Sequence, residues 1–137
     1  MISKEALHKK SPQEITGLLY EACLTNLEDA QVAVKNKDYV KANGHLQKAG
    51  DIVHRLGAGI NYEAGIIADQ LDAVYNYMAD RIVEANITKD AAIIDDVIRH
   101  LETITSAWQE AMKENQDKQT KEVKQKVNLY EQNSMYE

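Results

Sequence analysis

The chain has 137 residues, 44% of them apolar and 28% charged, with a net charge of −6. At that length one domain can bury roughly two-thirds of the surface its unfolded chain exposes, so a single core is expected. The acidic balance argues against nucleic acid or an anionic membrane as partner, because both need clustered Lys and Arg to displace counterions.

Helix punctuation organises the chain. Ser11-Pro12-Gln13-Glu14 combines an N-cap serine, proline at the first helical position and a capping-box glutamate three residues on, and so opens a first helix expected over 12–35. Asn36-Lys37-Asp38 breaks it, with Asp38 as the next N-cap. The second helix, expected over 39–60, carries Ala42, Leu46, Ala49, Val53, Leu56 and Ile60 at alternating four-three spacing, one continuous stripe. A short link around Asn61 to Gly65 precedes a third helix over 66–85, with the stripe Ile67, Leu71, Val74, Met78, Ile82 and Ala85, and with Asn86 as a left-handed stop. Thr88 or Asp90 caps a fourth helix over 90–112, with the stripe Ile94, Val97, Leu101, Ile104, Trp108 and Ala111. Four amphipathic helices with short links and no strand signals predict an all-α, antiparallel up-down four-helix bundle occupying 1–112. Residues 113–137 form a polar C-terminal extension, either a solvated continuation of the last helix or a flexible tail.

The search for chemistry is mostly negative. Cys23, the single cysteine, sits in an apolar helical stretch and reads as a core thiol in a reducing compartment. No apolar run approaches the ~18 residues of a membrane span, and the first ten residues lack a secretory segment, so membrane insertion is not expected and a cytoplasmic location is. A di-metal bundle needs inward-facing Glu-x-x-His pairs. Glu5 with His8 precedes the first helix cap, while Asp51 with His54 and Asp96 with His100 lie off their apolar stripes. No phosphate loop, nucleophile elbow or zinc-ligand spacing is present. No metal, cofactor or catalytic residue is expected.

Surplus apolar surface on the first helix stands out. At 100° per residue, Ile15, Leu19, Ala22 and Ala33 share one direction and suffice for a bundle stripe, whereas Tyr20, Leu24 and Leu27 point well away from it, with Cys23 and Val34 between. Either this helix is the most buried of the four, or the second strip is an outer binding groove. On the third helix Tyr75 and Tyr77 flank the core direction, each placed at a margin of the stripe, where amphipathic rings suit either an interface or a helix seam.

The stretch Val74-Tyr75-Asn76-Tyr77-Met78, followed by Arg81-Ile82-Val83-Glu84-Ala85-Asn86, resembles the third helix of the flagellar export chaperone FliS family. The resemblance extends through Ile60-Asn61, Gly65 and Ile67-Ala68, back to Ser11-Pro12-Gln13-Glu14-Ile15 and Leu18-Leu19-Tyr20-Glu21, and on to Ala107-Trp108. It implies a non-enzymatic cytoplasmic chaperone that holds the C-terminal segment of flagellin, prevents premature polymerisation and delivers it to the flagellar type III export apparatus. On that reading Leu18, Tyr20, Leu24, Leu27, Tyr75 and Tyr77 are the candidate client-binding residues. Two departures stand out: Gly17 replaces a large apolar residue, and no tyrosine-bearing segment precedes Ser11. Tyr130, Met135 and Tyr136 offer such a segment at the other end, an autoinhibitory tail that would cover the client groove. A di-metal or ligand-binding bundle enzyme and an adaptor or regulator for another helical partner are the alternatives, and self-association into a homodimer stays open.

Overall fold

A computed structural model describes residues 10–135, with the side chains of 10–115 and of Gln125. Helix α1 spans Pro12–Lys35, α2 Tyr39–Ala58, α3 Ile66–Thr88 and α4 Ala91–Met135, with a 3-10 turn Tyr62–Ala64 ahead of α3. The chain divides into two units, Met1–Ile104 and Thr105–Glu137. In the first, the four helices form the expected antiparallel up-down bundle. The second is the C-terminal part of α4, helical to Met135, and its described side chains are exposed or half-buried.

Local chemistry sets the helix ends. The Ser11 hydroxyl accepts from the Glu14 N–H at 3.1 Å, and the Asp38 carboxylate accepts from the Lys41 N–H at 3.2 Å, each satisfying a first-turn donor that has no intrahelical partner. Gly65, at φ 68, turns the chain into α3 in a region where a side chain would be strained. Helix α3 runs past the expected stop at Asn86 and ends at Thr88, with Lys89 in the left-handed conformation at φ 52. The Lys89 ammonium donates to the Asn86 carbonyl and side-chain oxygens, which brings a cation to the negative end of the helix dipole.

The core follows the expected stripe on α2, where Ala42, Leu46, Ala49, Val53 and Leu56 are all buried. On α3 it is rotated and shortened: Ala68, Tyr75, Met78, Ile82 and Ala85 are buried, whereas Leu71 and Val74 are half-buried and Ile67 is 64% exposed. On α4 the buried set is Ile93, Ile94, Val97, Ile98 and Leu101; Ile104 and Trp108 are half-buried and Ala111 is exposed.

Helix α1 is rotated from the expected assignment, with Ala33 the member of the expected stripe that stays buried. Its buried face is Tyr20, Cys23, Leu27, Ala30 and Ala33, while Ile15 and Leu19 are only half-buried and Ala22 is exposed. The apolar arc is wide enough for two orientations, and the bundle uses its middle, centred on Cys23 and Leu27 at 0% exposure. Tyr20 and Leu27 therefore belong to the core, not to an outer strip. Full burial of a side chain such as Leu27 contributes about 1.5–3 kcal/mol, and this is why the helix settles with that sector inward.

Candidate functional site

Each helix seam carries a polar tie, and residues of the α3 motif make several of them. Between α1 and α2, His45 Nδ1 meets Asn26 Oδ1 at 3.0 Å. Between α2 and α3, the Asn86 amide donates to Asn43 Oδ1 at 2.7 Å. Between α3 and α4, the Tyr77 hydroxyl and Arg81 Nε both donate to Asp96, at 2.7 and 3.2 Å. Between α1 and α4, the Gln31 amide donates to the Ala91 carbonyl at 3.4 Å. Across the diagonal, the hydroxyls of Tyr20 and Tyr75 lie 2.6 Å apart inside the core. Among the described residues no buried side-chain polar atom lacks a partner.

These ties fix the character of the candidate residues. Tyr20 and Tyr75, 2% and 5% exposed, have no open face, and burial pushes both phenols above their ordinary range, with the bond between them raising Tyr75 further and lowering Tyr20. Tyr75 is thus a core tyrosine, a correction to its placement at a wetted margin of the stripe. Tyr77 is exposed. Its hydrogen bond to Asp96 raises the phenol and, with the Arg81 bond, holds the Asp96 carboxyl below the usual carboxylate range. The His100 ring stands edge-on to Tyr77, centroids 5.0 Å apart, and its Nε2 lies 3.6 Å from Asp96. Leu18 and Leu24 are half-buried. Burial pushes the Cys23 thiol up to about 12; its sulfur faces the Ala49 carbonyl at 3.9 Å. Of the six candidate client residues, then, Tyr20, Leu27 and Tyr75 are interior and Leu18, Leu24 and Tyr77 reach the surface. The side chains of Tyr130, Met135 and Tyr136 lie outside the described residues.

Exposed apolar surface lies mostly elsewhere. Val83 and Ile87 on α3 are 59% and 78% exposed, Val40 on α2 is 85% exposed, and Tyr62, Ile66 and Ile67 before and at the start of α3 are 62–75% exposed. Val83 also lines a groove of about 250 Å³ between α2 and α3, floored by Leu46 and Ile82 and bordered by Gln47, Asp51, His54 and Asn86. A second groove of about 370 Å³ lies between α1 and α2, and apart from Val32 and Ala33 its lining is polar, with Asp29, Asp38 and Lys41 among it. Val40, Val83 and Ile87 were not among the residues expected to bind, and their position off the apolar stripes of α2 and α3 is the sequence signal for their exposure. Among the described residues no three His, Cys, Asp or Glu side chains gather as metal ligands, and no helix is long and apolar enough to cross a membrane.

A profile of the flagellar protein FliS family matches residues 3–115. The chain belongs to that family. It is 30% identical over 109 residues to the flagellar secretion chaperone FliS of Bacillus subtilis, covering 80% of this chain and 81% of that protein. The Salmonella typhimurium flagellar secretion chaperone FliS is 31% identical over 109 residues, 78% and 81% of the two chains, and that of Vibrio cholerae is 32% identical over 103 residues, 74% and 76%. A crystal structure of a bacterial flagellar chaperone superposes with a TM-score of 0.71 at 17% identity, over 82% of this chain and 91% of the other, so the bundle fold is shared. Membership places the chain among flagellar secretion chaperones, a non-enzymatic family.

Proposed function

We propose that the chain binds the C-terminal helical segment of flagellin in the cytoplasm, keeps it from polymerising early and hands it to the flagellar type III export apparatus. The observation that carries this reading is apolar side chains left in water on a chaperone-family bundle: Val40, Ile66, Ile67, Val83 and Ile87 are each more than half exposed. On α3 they fall in two places, Ile66 and Ile67 at its start and Val83 and Ile87 near its end, and large exposed apolar side chains grouped on a surface mark interaction sites. A disordered client that folds into amphipathic helices on this surface offsets the several kcal/mol of its ordering through a large contact area. Leu18, Leu24 and Tyr77 remain proposed contacts, half-buried or exposed and therefore within reach of a ligand, and the buried Tyr20, Leu27 and Tyr75 act by holding α1 and α3 in place. Titrating the full chain with the C-terminal segment of flagellin from the same organism tests the reading. Expected are saturable binding, a negative heat-capacity change and helix content above the sum of the two components. Absence of binding at micromolar concentrations rejects it.

A further inference from the structure

We propose that the two ends of the bundle are complementary docking faces for copies of this chain, the α1–α2 end of one chain seating on the α2–α3 end of the next. Both ends hold large apolar side chains in water. At the α1–α2 end these are Tyr39, 47% exposed, and Val40, 85% exposed, at the start of α2. At the other end they are Tyr62, Ile66 and Ile67, 62–75% exposed, in the 3-10 turn and the first turn of α3. Helix α2 separates the two groups by its 20 residues, roughly 30 Å at 1.5 Å per residue, so one chain cannot bring its own two ends together.

Charge selects the occupant. Lys35, Lys37 and Lys41 flank Tyr39 and Val40 in the chain and are all exposed, and among the described residues none of the three joins an ion pair. Asp38, the acid between them, is occupied as the α2 cap. Lys41 stands at the third position of α2, where the helix dipole and the capping box favour a glutamate, and that first turn holds no acid. Helix formation therefore does not account for the cation. The opposite end is the reverse. From Leu56 to Asp80 the chain has Glu63, Asp69, Asp72 and Asp80 and no Lys, Arg or His, with Arg55 and Arg81 bounding the stretch. Glu63 and Asp69 are exposed and interleave in the chain with Tyr62, Ile66 and Ile67. Like ends repel and unlike ends attract, which disfavours a two-fold dimer through either face and favours a heterologous, head-to-tail contact. The faces are a few side chains each, so the contact belongs with the weak, reversible interfaces below ~1,200 Å². In it Val40 of one chain and Ile66 and Ile67 of the next leave water together, with the lysines set against Glu63 and Asp69.

Sedimentation of the full chain without client decides it. At low ionic strength the average mass of the wild type is expected to rise above the 15.5 kDa of one chain as concentration increases, and to return to single chains at about 1 M salt, where the Debye length is about 3 Å. Lys37→Glu with Lys41→Glu makes both ends acidic, and Glu63→Lys with Asp69→Lys makes both ends basic. Each double variant alone should associate at least about tenfold more weakly, through like-charge repulsion. Mixing the two should restore association, because each then finds an end of opposite charge. Val40→Asp, at an exposed site, should give the same loss with melting unchanged, and it decides alone should either double variant fail to fold. The proposal is overturned by a wild type that stays single at every concentration, by association that salt does not weaken, or by wild-type association in Val40→Asp or in either double variant alone. A mixture that stays single overturns it too. No client takes part, so such a failure leaves the flagellin reading standing.

Discussion

Leu27 on α1 and Ile87 on α3 are side chains of similar size and hydrophobicity, yet Leu27 is sealed at 0% exposure and Ile87 is 78% exposed. The two regions around them are built differently. The inner face of α1 is closed on several sides: Cys23 meets the α2 backbone, Tyr20 reaches the far helix through Tyr75, and Gln31 ties the end of α1 to α4. The α2–α3 edge has Leu46 and Ile82 beneath it and water above. Apolar residues on the first region hold the fold together; those on the second are free to meet a partner. The same residue type thus carries stability in one place and leaves apolar surface accessible in the other, and what separates them is the number of elements packed around it.

The comparison breaks most visibly in the interior. Leu27→Ala is expected to lower unfolding free energy by about 2–5 kcal/mol, as cavity-forming core changes do, and the half-buried Leu24→Ala by clearly less; chemical denaturation of both measures this, and equal losses would mean that α1 is oriented differently. Next comes the diagonal pair. Tyr75→Phe removes the Tyr20–Tyr75 hydrogen bond and should cost about 0.5–1.5 kcal/mol. The double change Tyr20→Phe with Tyr75→Phe should cost less than the sum of the singles, because the two groups act as one unit.

A smaller effect belongs to the α3–α4 seam. The bonds from Tyr77 and Arg81 depress Asp96 below its unfolded value of about 3.9. Its contribution is therefore present above that pH and is lost as pH falls through the lower folded value. The stability difference between wild type and Asp96→Asn should be constant near neutrality and shrink in acid below about pH 4, as followed by denaturant melts across pH. A difference that grows toward low pH would contradict the assigned bonds. The smallest effect sharpens the contrast: Ile87→Asp should leave stability within about 0.5 kcal/mol of wild type, and a loss comparable to that of Leu27→Ala would show that the α2–α3 edge is part of the core.

Much of the fold was legible in the chain. Ser11-Pro12 and Asp38 marked helix starts that the structure keeps, because a cap is a contact between near neighbours and needs no tertiary partner. The α2 stripe was read correctly from Ala42 to Leu56, since its apolar positions are few and define one direction, whereas Ile60 falls beyond the helix end at Ala58 and is half-buried. The α3 motif was specific enough to suggest the family, although its roles proved largely architectural: Tyr75 fastens α1, Arg81 and Tyr77 fasten α4, and Asn86 fastens α2.

The candidate site was less legible. Tyr20, Leu27 and Tyr75 have the composition of a binding strip and the burial of a core, while Val83 borders a groove that exists only between α3 and its neighbour α2. By itself the sequence determined the helices, most of their ends, the bundle class and the family, all encoded in local periodicity and short-range hydrogen bonding. Only the tertiary structure decided which part of α1's wide apolar arc turns inward and which apolar residues of α2 and α3 stay in water. A helix's rotation about its own axis is set by the summed burial against its neighbours, a quantity that no single helix contains.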